Sequence, residues 1–161
     1  MKKTLVSAIW LLTVPLGLAH ADPQYAATKT PSANEAYTPG LGDIMGPIQM
    51  RHAKLWFAGA NKNWALAAYE LDEIKEGFGD AARFQSDFKG RPVAKMVEEI
   101  IEPKLAVVEK AIEAKNQQQV ARAFNQLTKA CNACHQSVGY GFISIQSPTQ
   151  PPYSNQRFKV E

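Results

Sequence analysis

From Leu41 to about Gly139, apolar residues recur at helical spacing and nowhere alternate as a half-buried strand requires. The pattern predicts an all-α chain with four amphipathic segments. The first spans 43–58, with Asp43 as N-cap, Pro47 in the first turn and Gly59 as a stop signal. The second begins at Trp64 after a short loop. Trp64, Ala67, Leu71, Ile74 and Phe78 share one of its faces, and Glu70, Glu73 and Glu76 read as its solvent face. Residues 79–91, with Gly79 and Gly90, read as a longer loop. The third segment starts at Pro92 and carries the stripe Val93, Val97, Ile100, Ile101, Leu105, Val108 and Ile112; Pro103 should kink or divide it. The fourth begins near Gln117 and aligns Val120, Phe124, Leu127, Cys131 and His135. Short connections between such segments predict an antiparallel up-down-up-down four-helix bundle.

The flanks differ. Residues 1–21 read as an export signal: Lys2 and Lys3, an apolar run from Leu5 to Ala19, and the small-x-small site Ala19-His20-Ala21, with cleavage after Ala21. Export predicts an oxidising compartment, the bacterial periplasm. No other segment is apolar enough to span a bilayer, so the chain is expected not to be membrane-spanning. Residues 22–40 form an aperiodic lead-in, and the tail, 140–161, holds three prolines that exclude a long helix. Phe142, Ile143 and Ile145 are its candidates for pinning onto the helices. Removing two lysines and no acids with the leader lowers the formal charge from +3 to +1. No basic stripe with interleaved aromatics is present, so a nucleic-acid partner is not expected.

Both cysteines of the chain lie in CNACH, residues 131–135. Four chemistries use such a motif. A redox CxxC belongs with a βαβ pattern, which this chain lacks. A disulfide between Cys131 and Cys134 would close too short a loop to stabilise much. A zinc clip needs a tetrahedral wrap, whereas adjacent Cys134 and His135 diverge by ~100° around a helix. The fourth is covalent haem, for which C-x-x-C-H is the attachment signature. Cys131 and Cys134 then reach one edge of the porphyrin, and His135 addresses the iron. Motif and export together favour haem.

A single CxxCH near the C-terminus, on the last of four helices, resembles the class II cytochromes c, the cytochrome c-prime and c-556 group. The resemblance covers Leu41 to Gly139, a haem domain at 41–139. It implies one haem c, thioether anchors at Cys131 and Cys134, and His135 as proximal ligand. The expected role is single-electron transfer between redox partner proteins. No nucleophile–base pair or acid/base dyad stands out, so no enzymatic activity is expected, and similar cytochromes leave room for a homodimer. The chain departs from the group in running 26 residues beyond its histidine.

The residue opposite His135 decides the chemistry. After export the remaining candidates are His52, Met45, Met50 and Met96, three of them within IMGPIQMRH. In an antiparallel bundle, Cys131 and His135 lie 14 and 18 residues beyond Gln117, level with residues 14 to 18 before Gly59. Met45 falls in that window; His52 stands ~10 Å further along the axis. A methionine early in the first helix is also the sixth ligand of the low-spin relatives, so Met45 is the expected ligand and His52 the alternative. His52 otherwise reads as a satisfied core residue, and Arg51 and Lys54 as candidate propionate partners. The rival functions are a five-coordinate haem protein binding NO or CO, and a non-haem metal protein using Cys131, Cys134, His135 and His52.

Overall fold

The computed structural model describes residues 37–160. The expected leader over 1–21 and the lead-in through residue 36 lie outside the described residues. Everything regular in the described part is helical, apart from one isolated bridge between Phe88 and Arg91. Among the described residues no helix is long and apolar enough to cross a membrane.

Helix α1 spans Leu41–Ala60 and α2 spans Trp64–Phe84. Helix α3 (Val93–Met96), a π-helical stretch (Val97–Ile101) and α4 (Glu102–Glu113) follow one another without a gap, and α5 spans Gln117–Ser137. The π stretch stands where a kink was expected. Pro103 has no N–H to give the carbonyl four residues back, and the turn just before it widens so that Glu102 donates to Val97 instead.

The two tight connections share a device. Lys62 and Lys115 adopt left-handed backbone, with φ of 56° and 49°. Each closes a paired-bond helix end: Asn63 N–H returns to Ala58 and Lys62 N–H to Gly59, while Asn116 N–H returns to Ala111 and Lys115 N–H to Ile112. The asparagine of each Lys-Asn pair then caps the next helix, Asn63 accepting from Leu66 N–H and Asn116 from Gln119 N–H. The same ending recurs at the end of α5, where Gly139 has φ 83° and Tyr140 N–H returns to His135 O at 2.7 Å.

Helix α1 packs chiefly on α2, and α4 on α5; α2 also meets α4, and α1 meets α5. The α1–α5 contact runs end to start. Gln117 donates to Ala60 O, Gly59 faces Val120, and His52 reaches Thr128. Residue numbers fall along one helix as they rise along the other. Leu55, Ile74, Ile101, Val108, Phe124 and Leu127 form the driest part of the core.

Several expectations need correction. Asp43 is the third helical residue of α1, its carboxylate accepting from Gly40 N–H at 3.1 Å, and Gly40 is the cap. Pro47 sits in the second turn, inside the helix. Gly59 does not stop α1; it is buried in the last turn, where a Cβ would come within 2.8 Å of a Val120 methyl. Gly79 does not end α2, which continues to Phe84. Pro92 precedes the third helix instead of opening it.

Glu70 is fully buried, not solvated. Arg51 holds its Oε2 at 3.2 Å and reaches Glu73 at 2.7 Å, while Glu70 Oε1 has no partner. Burial lifts the Glu70 carboxyl above its ordinary range, with the Arg51 bond opposing. In the tail, Phe142 is 79% exposed and pins nothing. The anchors are Ile143, whose carbonyl accepts from His135 Nδ1–H, Ile145, bonded to Asn132, and Phe158, which is buried against Phe57.

The two exposed-looking glycines of α2 should respond oppositely to alanine. At Gly77 a Cβ would lie 2.6 Å from Ile48 Cγ1, so Gly77→Ala should cost ~1–3 kcal/mol through overpacking. Gly79 has nothing within 4 Å, so Gly79→Ala should gain ~0.5–1 kcal/mol from backbone entropy. Urea unfolding of both variants checks this; shifts of the same sign would contradict the close approach of α1 and α2.

Candidate functional site

One face of α5 opens onto a cavity of about 320 Å³. Cys131, Cys134 and His135 line one side of it, Met45, Gln49 and His52 of α1 another. Ile74 and Phe78 of α2 and Leu127 of α5 add apolar wall, and Met96 and Val97 extend it. Tyr140, Ile143 and Ile145 of the tail also border it. Arg91 is the only arginine or lysine lining it among the described residues. Size and lining are those of a site for a largely apolar ligand with a few polar points of attachment.

The α1–α5 register levels the two sides. His52 and Thr128 touch at 2.8 Å. Met45 stands seven residues before His52 on α1, and His135 seven residues after Thr128 on α5, each ~10 Å along its helix. Because the helices run in opposite senses, both steps go the same way, and Met45 and His135 border one cavity.

The state of each donor follows from its bonds. His135 Nδ1 lies 2.8 Å from Ile143 O. A carbonyl only accepts, so Nδ1 carries a proton, and in the neutral ring the lone pair lies on Nε2. Cys131 and Cys134 are both free thiols. Burial pushes the Cys131 thiol up to about 11, with the neighbouring Cys134 adding to it, and burial raises Cys134 as well. Both remain protonated at neutral pH in the free chain, so neither is a ready thiolate nucleophile. Among the described residues, no three His, Cys, Asp or Glu side chains are grouped to hold a metal ion.

His52 is engaged on its own account. Thr128 gives its hydroxyl proton to Phe124 O at 2.9 Å, so it must accept from His52 Nε2–H. The ring stacks on Phe124 with centroids 4.1 Å apart. Met50 does not border the cavity, whereas Met96, for which the sequence offers no argument, does. Arg51 and Lys54 stand apart from it. Arg51 is committed to Glu70 and Glu73, and Lys54 lies over the Tyr153 ring at 5.0 Å. Arg91 went unrecognised in the sequence because it reaches the cavity only through the turn at 88–91, whereas Ile143 and Ile145, expected to pin the tail onto the helices, do border it. That turn is tight, with Lys89 and Gly90 both at positive φ.

No protein-family model matches the chain, nor does any curated protein or solved structure.

The buried imidazole makes stability depend on pH. Burial lowers His52 from 6.5 to about 4. Between these values the unfolded chain binds a proton that the folded chain refuses. This contribution is therefore full above the unfolded value and falls as pH drops, by ~2 kcal/mol between pH 7 and pH 5. Urea unfolding should show that loss in the wild type and a flatter profile in His52→Gln; identical slopes would contradict it.

Proposed function

We propose that this chain is an exported monohaem c-type cytochrome of the class II kind, an antiparallel four-helix bundle that carries single electrons between redox partner proteins in the periplasm. The observation that carries the reading is the convergence of CNACH on an apolar cavity with His135 Nε2 left free. Two thiols and an imidazole on one wall, with a thioether on the other, fit haem c.

In this reading Cys131 and Cys134 hold the haem edge as thioethers, and His135 Nε2 is the proximal iron ligand. When bound, the haem supplies a one-electron iron couple. Met45 offers sulfur to the opposite side. His52 is the weaker candidate because its Nε2–H is spent on Thr128. Arg91, not Arg51 or Lys54, is the cation available to a propionate, since it alone of the three borders the cavity. Ile74, Phe78, Leu127 and Val97 exclude water. Dry walls and a His/Met ligand pair both favour a raised reduction potential. In this reading the chain's role is that of a carrier, not an enzyme.

The optical spectrum tests the ligand set. The reduced protein should show low-spin bands, and the oxidised protein a sulfur-to-iron charge-transfer band in the red. Met45→Ala should abolish that band and yield a high-spin spectrum that responds to CO. An unchanged spectrum would transfer the role to Met96 or His52. A wild type already high-spin and CO-responsive would replace the carrier with a gas-binding protein.

A further inference from the structure

The tail does more than border the cavity. At Gly139 the chain reverses, and Tyr140 N–H returns to His135 O. A turn follows in which Ile143 N–H donates to Tyr140 O at 2.8 Å. That turn aims Ile143 O back at His135 Nδ1, at 2.8 Å. Two residues on, Ile145 is fastened by both of its backbone groups: its N–H donates to Asn132 Oδ1 at 2.7 Å, and its carbonyl accepts from Asn132 Nδ2 at 2.8 Å. Ser147 then bonds Asn125 at 3.0 Å, and the segment ends with Phe158 buried beside Phe57 and its carbonyl held by Asn63.

We infer that residues 140–160 form a strap that positions His135 through the carbonyl of Ile143, with Asn132 as its fastener. The inference rests on His135 being the proximal ligand of a haem. Asn132 is an interior residue of CNACH, at a position the attachment signature leaves free. Its amide matches a backbone N–H and C=O at once, as one rung of a ladder would. It is a positioning residue, since it acts on His135 only through the strap.

The electronic consequence has a definite sign. An Nδ1–H held by a carbonyl makes Nε2 more electron-rich. That favours the ferric state and lowers the reduction potential. Loss of the bond should therefore raise the potential. Mere uncovering of the cavity acts the other way, because water at the site favours the more highly charged ferric state. A strap that only shields and a strap that positions His135 thus differ in the direction of the shift.

The test is the midpoint potential of the haem-bearing full chain in three variants. Asn132→Ala removes the fastener from α5, and Ile145→Pro removes the donor from the tail side. Both should raise the potential, and in both the His135 Nδ1 proton should lose its slow solvent exchange by proton NMR of the reduced form. Ile145→Ala keeps both backbone bonds while thinning the wall; it should lower the potential and leave the Nδ1 proton protected. Asn132→Asp retains one of the two bonds and should fall between wild type and Asn132→Ala. A downward or absent shift in both Asn132→Ala and Ile145→Pro overturns the strap while leaving the haem reading intact. A wild type that carries no haem overturns both.

Discussion

The site depends on a buried hydrogen-bond relay between α1 and α5. His52 Nε2–H gives to Thr128, and Thr128 gives to the carbonyl of Phe124, all out of water. Sliding α1 by one helical turn, ~5.4 Å, would leave these groups buried without partners. Each such orphan costs ~1–3 kcal/mol, whereas apolar neighbours tolerate exchange. The relay therefore selects one register from several that the apolar stripes alone would accept. Gly59 against Val120 and Gln117 against Ala60 agree with it. Met45 and His135 face a common cavity because this register holds.

The same economy governs the donors. The bond from His135 Nδ1–H to one backbone carbonyl leaves Nε2 as the ring nitrogen available to the cavity. The thiols are kept protonated by burial, so they wait as neutral side chains on an apolar wall. Elsewhere an ion pair is confined to the far side of α1. Arg51 serves Glu70 there, an arrangement costly to disrupt because the carboxylate would be left buried and alone. The cavity is thereby left with one cation, Arg91, at its border among the described residues.

Much of the helical layout was legible in the sequence, for reasons that differ by element. Helix α5 was found at its true start because Asn116 caps it and an unbroken apolar stripe follows. Cys131, Cys134 and His135 are likewise visible from spacing alone. The level of Met45 followed from counting back from the junction of α1 and α5, where Gln117 does meet the end of α1 at Ala60. Glycine misled twice: Gly59 and Gly79 look like stops, yet one permits a close approach to Val120 and the other is a plain helical residue. Glu70 was misassigned although its spacing from Ala67 and Ile74 puts it on their face; only its charge argued otherwise. Arg91 carries no local signal, because its place depends on the turn at 88–91. Ile143 and Ile145 stand out as apolar residues just after His135, but their bonds to His135 and Asn132 depend on the reversal after α5.

The central claim is that CNACH holds a haem covalently, and the most direct measurement is the mass of the exported chain after full denaturation and acid–acetone extraction. The predicted result is the mature chain plus one haem, with haem absorbance on the protein, and the bare chain when Cys131 and Cys134 are both replaced by serine. A wild-type chain of bare mass, with any pigment left in the acetone, would contradict the account.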